Sequence, residues 1–386
     1  MNSDRINSLP PYLFAAIDES KRNMIAKGVD VIDLGVGDPD VPTHPHIVEA
    51  MVEAVRDPKT HQYPDYAGML SFREAAADWL KKYKNVDVDP KTQIISLIGS
   101  KEGVAHVPFA FINPGDVVLC PNPGYPVYSI GTKFACGIPY DMPLLAENNF
   151  LPDYDAIPED ILSKAKLLFI NYPNNPTSAV ADMAFFEKTV AFAKKHDLVV
   201  VHDNAYCEMT YDGYKAPSFL AAEGAMDVGI ELYSMSKTYN MTGWRLGFAA
   251  GNKDLIAAFG KVKSNIDSGV FDAVQRAGIT ALTSSQQCVL DMNEKVYTPR
   301  RNALLAGLKA IGLKTEPPKA TFYVWAHVPE GYSSFDFARL LLEEAGIVAT
   351  PGTGFGKYGE GYIRFALTKD VSRIEEAVDR MKKLKF

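Results

Sequence analysis

The spacing of apolar positions changes along this chain. From about residue 90, compact apolar runs alternate with segments of helical period. The runs are "QIISLIG", "DVVLC", "AKLLFIN", "DLVVVHD" and "IELYSMS"; between the third and fourth lies "MAFFEKTVAFAKKH", whose apolar residues recur every three to four positions. Continuous apolar runs are what strands need when both faces of a sheet are covered, and strand–helix alternation builds that sheet from parallel neighbours. The pattern predicts an α/β fold, a mostly parallel mixed sheet covered by helices. After about residue 285 the texture becomes one long helical stretch, "QQCVLDMNEKVYTPRRNALLAGLKAIG", then "ATFYVWAHV", a helix "FDFARLLLEEAG" and a strand-like "GYIRFAL". This predicts a smaller α+β domain over 286–386, beside a large domain over 46–285. Residues 1–45 form an arm expected to pack on the small domain or on a neighbouring subunit.

Composition narrows the class. A chain of 386 residues, 47% hydrophobic and 23% charged, can bury a large core and has room for two or three domains. A net charge of −7 without a long basic run argues against a nucleic-acid partner. The amino terminus lacks the apolar core of a signal peptide, and no apolar run approaches bilayer length, so no membrane is expected and the cytoplasm is the expected location. Cys120, Cys136, Cys207 and Cys288 show no C-x-x-C spacing, which predicts reduced thiols in a packed interior. The histidines show no ligand spacing either: His44 and His46 share a proline-containing loop, and His202 reads as a packed neighbour of Asp203. No metal is expected.

Open α/β sheets place ligands beyond the carboxyl ends of their strands, so the polar residues there carry the candidate chemistry. "SLIGSKEG" sets Gly99, Ser100 and Lys101 where a strand gives way to a helix, whose free N–H groups favour an anion. "NYPNNPT" delivers Asn171, Asn174 and Asn175, which alone would be an Asn-Pro turn. In "VVVHDNAY", Asp203 ends a strongly apolar strand, where an unpaired carboxylate is costly and calls for a cation; Tyr206 follows three residues later. "SMSKTYNMTGWRLG" surrounds Lys237 with hydroxyls, including Ser234 and Ser236, and adds Arg245. As one set, these residues suit a phosphate-bearing pyridine aldehyde: hydroxyls and guanidinium for the phosphate, an amine for the aldehyde, a carboxylate for the ring nitrogen, and Tyr125 of "PNPGYPVY" to stack on the ring. "GVGDPD" lacks the third glycine of a dinucleotide fingerprint and runs into prolines, which excludes a nicotinamide site.

With the motifs "YPDYAG", "GSKEG", "PNPGYPVY", "NYPNNPT", "HDNAY", "SMSKTYNMTGWRLG" and "YIRFAL", nearly the whole sequence resembles the class I/II aminotransferases, pyridoxal 5′-phosphate (PLP) enzymes of fold type I. The resemblance implies Lys237 as Schiff-base lysine and proton shuttle, Asp203 at the pyridine nitrogen, Asn175 and Tyr206 at the ring hydroxyl, and Tyr125 against the ring. Ser100, Lys101, Ser234, Ser236 and Arg245 would grip the phosphate. Arg364 in "YIRFA" would bind the substrate α-carboxylate, and the Gly37 backbone would line the entrance. It further implies a homodimer with shared active sites, in which Tyr63 reaches the phosphate of the other subunit's site. The substrates would be an amino acid and a 2-oxo acid.

The opening segments "RINSLPPYLFAAIDESKR" and "GVDVIDLGVGDPDVPT" resemble the diaminopimelate branch of that family more than its aspartate enzymes. That implies exchange between LL-2,6-diaminopimelate and 2-oxoglutarate in lysine biosynthesis, with aspartate, aromatic amino acids or alanine as alternative substrates. A PLP-dependent carbon–sulfur β-lyase shares the same scaffold and lysine. A non-enzymatic regulator would need an added DNA-binding segment, for which the residues before "LPPYLF" leave no room.

Overall fold

A computed structural model describes residues 2–7, 9 and 13–386; part of the arm motif "LPPYLF" therefore lies outside the described residues. Twelve strands follow in chain order: β1 Ile32–Asp33, β2 Ile94–Leu97, β3 Val117–Asn122, β4 Ile138–Pro143, β5 Ala165–Ile170, β6 Val199–Asp203, β7 Gly229–Ser234, β8 Gly247–Gly251, β9 Tyr323–His327, β10 Ile347–Val348, β11 Thr350–Pro351 and β12 Tyr362–Ala366. Seven of them form one sheet in the order β2-β8-β7-β6-β5-β3-β4. Only β8 runs against its neighbours.

The apolar runs are strands for the reason their sequence suggests. Val200 and Leu168 face one buried cluster, with Phe186 and Trp79, while the next residues, Val201 and Phe169, face another, with Val104 and Val107. Successive strand residues point to opposite faces, so burial of both faces requires an unbroken apolar run. The covering helix Met183–His196 begins at Asp182, whose side chain accepts the Phe185 N–H at 2.9 Å, and ends at Asp197 in the left-handed region (φ 53°). Its Phe185, Phe186, Thr189, Val190 and Ala193 make one buried face.

Beyond residue 285 the predicted single helix is three consecutive pieces. Helix Gln286–Met292 passes into a π-helical turn, Asn293–Tyr297, and then into helix Thr298–Ala310. Pro299 in the first turn of the last piece has no N–H to donate, and the wider turn before it absorbs the mismatch. β9, β12 and β11 form an antiparallel sheet. β1 pairs in parallel with β10 through Ile32 opposite Ile347, so the segment before residue 35 packs with the carboxyl-terminal part of the chain. Ile32 and Leu34 share a core there with Phe337, Phe365 and Ile374, and the same core takes in Tyr206 and Met209 from the loop after β6.

Of the four cysteines, all free thiols, only Cys120 and Cys207 are buried; Cys136 is exposed and Cys288 half-buried, so the expectation of four interior thiols is corrected. Cys136 sits in a turn at φ 62°, where its side chain leaves the core.

Candidate active site

The carboxyl ends of the parallel strands open onto a cavity of about 500 Å³. β6 delivers Asp203, β7 delivers Ser234, and the turn after β5 delivers Asn171 and Asn175. The reversed β8 delivers its start: Gly247 lies opposite both Ser234 and Leu97, which brings Arg245 to the same edge as the helix Ser100–Phe111. Among the sequence-predicted residues Gly37, Ser100, Lys101, Tyr125, Asn175, Asp203, Tyr206, Ser234, Ser236, Lys237, Arg245 and Arg364, every one lines this cavity. Tyr63 does not; it is 89% exposed on the surface.

The anion end is built from backbone. Gly99, at the N-cap of helix Ser100–Phe111, has φ 74° and offers no side-chain cap, so no side chain covers the start of the helix, where the dipole favours an anion. A Cβ on Gly99 would overlap the Arg245 guanidinium, so glycine is required both by the backbone angle and by the arginine's approach. Arg245 is held by the carbonyls of Thr242 (2.8 Å) and Ile98 (3.4 Å).

At the other end lies a buried carboxylate. Asp203 accepts a hydrogen bond from the Tyr128 hydroxyl at 3.0 Å through Oδ2, and its Oδ1 has no hydrogen-bond partner among the described residues. Burial raises its pKa to about 6 against the opposing pull of Tyr128, His202 and the Ala205 N–H. Behind it, the His202 ring lies 3.3 Å from Glu231 and bonds the Tyr172 backbone, as expected of a packed neighbour. Asn171 Nδ2 donates to the Asp203 carbonyl at 2.6 Å and its Oδ1 accepts from the Asn175 N–H at 2.8 Å, which ties the Asn-Pro turn to the strand end.

Lys237 stands between these ends. Its Nζ donates to the Gly37 carbonyl at 2.8 Å. Burial lowers its pKa to about 8, with Arg364 and Arg245 adding to the shift and Asp38 opposing it. Gly37 is confined: a Cβ there would overlap the Tyr323 ring and hydroxyl. The Arg364 guanidinium is buried, donates to Asn175 Oδ1 and to the Gly35 carbonyl, both at 2.7 Å, and lies 4.1 Å from the Tyr323 ring centroid.

Among the cavity residues that were not legible as site residues, two hold others in place. Tyr323 bonds Tyr206 hydroxyl to hydroxyl at 3.2 Å, and Tyr128 holds Asp203. Tyr323 sits in an ordinary-looking apolar run. Tyr128 carried a faint signal, three positions after Tyr125 at a helix start, which gives both rings one neighbourhood.

These features fit PLP on their own terms. The orphaned Asp203 oxygen suits a protonated pyridine nitrogen, the open helix start with Arg245 suits a phosphate dianion, and a buried amine of lowered pKa suits an aldehyde. Sheet order and cavity together define a fold-type I PLP enzyme. The profile of aminotransferases class I and II matches residues 29–381, and the chain belongs to that family. It is 58% identical over 386 residues to an LL-diaminopimelate aminotransferase of Syntrophobacter fumaroxidans, covering 100% of this chain and 99% of that one. It is 55% identical over 384 residues to an enzyme of the same name from Aquifex aeolicus, again covering 100% and 99%. The substrate-bound structure of BacF from Bacillus subtilis superposes with a TM-score of 0.96 at 40% identity, over 99% of this chain and 97% of that one. The protein is thus a PLP-dependent aminotransferase that moves an amino group between an amino acid and a 2-oxo acid.

Proposed function

We propose that the amino acid is LL-2,6-diaminopimelate and the acceptor 2-oxoglutarate, an exchange within lysine biosynthesis. The observation that carries this reading is full-length identity above one half to enzymes bearing that name. PLP, when bound, supplies an aldehyde that takes up amino groups and a ring that withdraws electrons from the α-carbon. Asp203 would hold the proton on the ring nitrogen, and Tyr128, which donates to its Oδ2, fixes that carboxylate. Asn175 and Tyr206 would hold the cofactor's ring hydroxyl, and Tyr125 would pack against its ring. The Ser100 and Lys101 backbone, Ser234, Ser236 and Arg245 bind the phosphate. The Lys237 amine, neutral above a pKa of about 8, would be the base that moves the substrate α-proton. Arg364 receives the α-carboxylate in its planar fork, with Gly37 closing the near side.

The enzyme is proposed to be a homodimer whose sites are shared, Tyr63 reaching the partner's phosphate. Tyr63 and Tyr66 are exposed, and Gly269 packs close to Pro64 and Asp65, which brings the exposed Ile266 and Phe271 near them. Such a patch is characteristic of an interface. The proposed compartment is the cytoplasm. Among the described residues no helix is long and apolar enough to cross a membrane, and free thiols suit a reducing compartment.

The test follows the absorbance of the loaded enzyme while LL-diaminopimelate, aspartate, glutamate, phenylalanine and alanine are added one at a time. Conversion to the amino form of the cofactor by diaminopimelate and glutamate alone supports the assignment. Conversion by aspartate, phenylalanine or alanine without diaminopimelate overturns the substrate and leaves the reaction class intact.

A further inference from the structure

Outside the active site the fold joins two neighbouring histidines to a cysteine far off in sequence. His44 and His46, at the start of helix Pro45–Arg56, meet Cys288 of helix Gln286–Met292, and one ligand atom from each lies within 4.8 Å of the others. Sequence spacing gave no sign of this, since the thiol enters from 242 residues further on. We propose that His44, His46 and Cys288 bind a thiophilic divalent ion, Zn²⁺ above all, as a brace behind the active site.

The orientation of His46 supports a ligand. Its Nε2 lies 2.6 Å from the hydroxyl of Ser285, which is fully buried and itself donates to the Thr280 carbonyl at 3.3 Å. With its proton committed to Thr280, Ser285 accepts from His46 Nε2–H and leaves the lone pair on Nδ1. That lone pair faces His44 Nδ1, with the two rings edge to face and their centroids 4.4 Å apart. A histidine whose outer N–H is anchored and whose inner nitrogen is turned on a second histidine and a thiol has the outer-shell support of a metal ligand. Two imidazoles and a thiolate suit zinc in a tetrahedron with solvent in the fourth position. Zinc bonds of about 2.0–2.3 Å set ligand atoms roughly 3.3–3.8 Å apart, so the facing histidine nitrogens part and Cys288 adjusts to them on binding. On ligation the Cys288 S–H proton passes to solvent, and each histidine binds through a nitrogen that carries no proton.

The consequence is mechanical. His44, Ser285 and Cys288 line a second cavity together with Thr238, Tyr239 and Asn240, which directly follow Lys237, and Thr43 donates to the Asn240 carbonyl at 2.7 Å. An ion there ties the segment leading from Gly37 to the helix Gln286–Met292 across the back of the lysine loop. Binding to the folded state alone raises the melting temperature by mass action.

The test titrates chelator-treated holoenzyme with Co²⁺ and reads difference absorbance, then displaces the ion with Zn²⁺. One Co²⁺ per chain is expected, with a thiolate-to-cobalt charge-transfer band and the visible bands of a tetrahedral site. Cys288→Ser and His44→Ala should abolish the band while keeping the cofactor and the melting temperature of the metal-free protein. Ser285→Ala should weaken binding by about 10–100-fold, and Cys136→Ser, which removes the exposed thiol, should change nothing. Absence of a thiolate band in the wild-type protein overturns the proposal. So does a band that survives Cys288→Ser or disappears in Cys136→Ser.

Discussion

Lys237 and Asp203 have shifted pKa values for the same reason, burial, and the shifts point to different experiments. Only the neutral amine attacks an aldehyde. With the Lys237 pKa at about 8, PLP capture by the cofactor-free protein should accelerate about tenfold per pH unit below that value and level off above it. A rate still climbing steeply at pH 9.5 would show an ordinary lysine. Lys237→Ala should abolish turnover; substantial remaining transaminase activity would refute its role. For Asp203 the folded pKa of about 6 exceeds the ordinary 3.8, so the folded state holds its proton more tightly than the unfolded state. Stability of the cofactor-free protein therefore falls as pH rises from about 4 to 6, and the cost, on the order of 3 kcal/mol, is fully present above that. Asp203→Asn should accordingly raise the melting temperature of cofactor-free protein at pH 8, with the gain fading towards pH 4, while activity falls by orders of magnitude. Lower stability of that variant at pH 8 would show that Asp203 is already compensated without the cofactor. Arg364→Lys keeps the charge and loses the fork, so KM for both substrates should rise by roughly 10–100-fold; an unchanged KM would remove the arginine from carboxylate binding. Lys237, Asp203 and Arg364 were legible because each sits in a motif with a chemical reason. Tyr323 was not: its role depends on β9 pairing with β12, which brings its ring against Arg364, and nothing in "ATFYVWAHV" encodes that register.

At the scale of elements, five of the seven strands of the large sheet, β2, β3, β5, β6 and β7, were legible because burial on both faces forces continuous apolar runs. β4 escaped notice: "IPYDMP" carries two prolines and an aspartate, tolerated because it is the edge strand and pairs on one side only. β8, "GFAAG", is too small to stand out, yet its reversal places Arg245 beside Gly99. Gly99→Ala tests that junction. The added methyl would strain a positive φ and displace the guanidinium, so PLP should dissociate at least tenfold faster while the fold persists. Unchanged cofactor retention would mean that Arg245 contributes nothing at the anion end.

For the whole molecule, the proposed sharing of sites makes a prediction no single variant can. Tyr63→Ala and Lys237→Ala chains are each deficient, but a mixed dimer rebuilds one complete site from the lysine of one chain and the tyrosine of the other. Equal amounts unfolded and refolded together should recover about a quarter of wild-type activity; recovery of none would place Tyr63 outside the partner's site. The covering of the large sheet on both faces was readable from the chain, whereas the arm was expected only to pack on the small domain or a neighbouring subunit; its pairing of residues 32–33 with 347–348 was not readable, because two-residue strands leave no pattern.

The central claim is that the buried amine of Lys237 is the group that takes the cofactor. Loaded enzyme is reduced with borohydride, digested, and its peptides weighed. The account predicts the pyridoxyl-phosphate mass on Lys237 alone, in the peptide containing "SMSKTYNMTGWR". The label on another lysine, or on none in protein that has demonstrably bound cofactor, would contradict it.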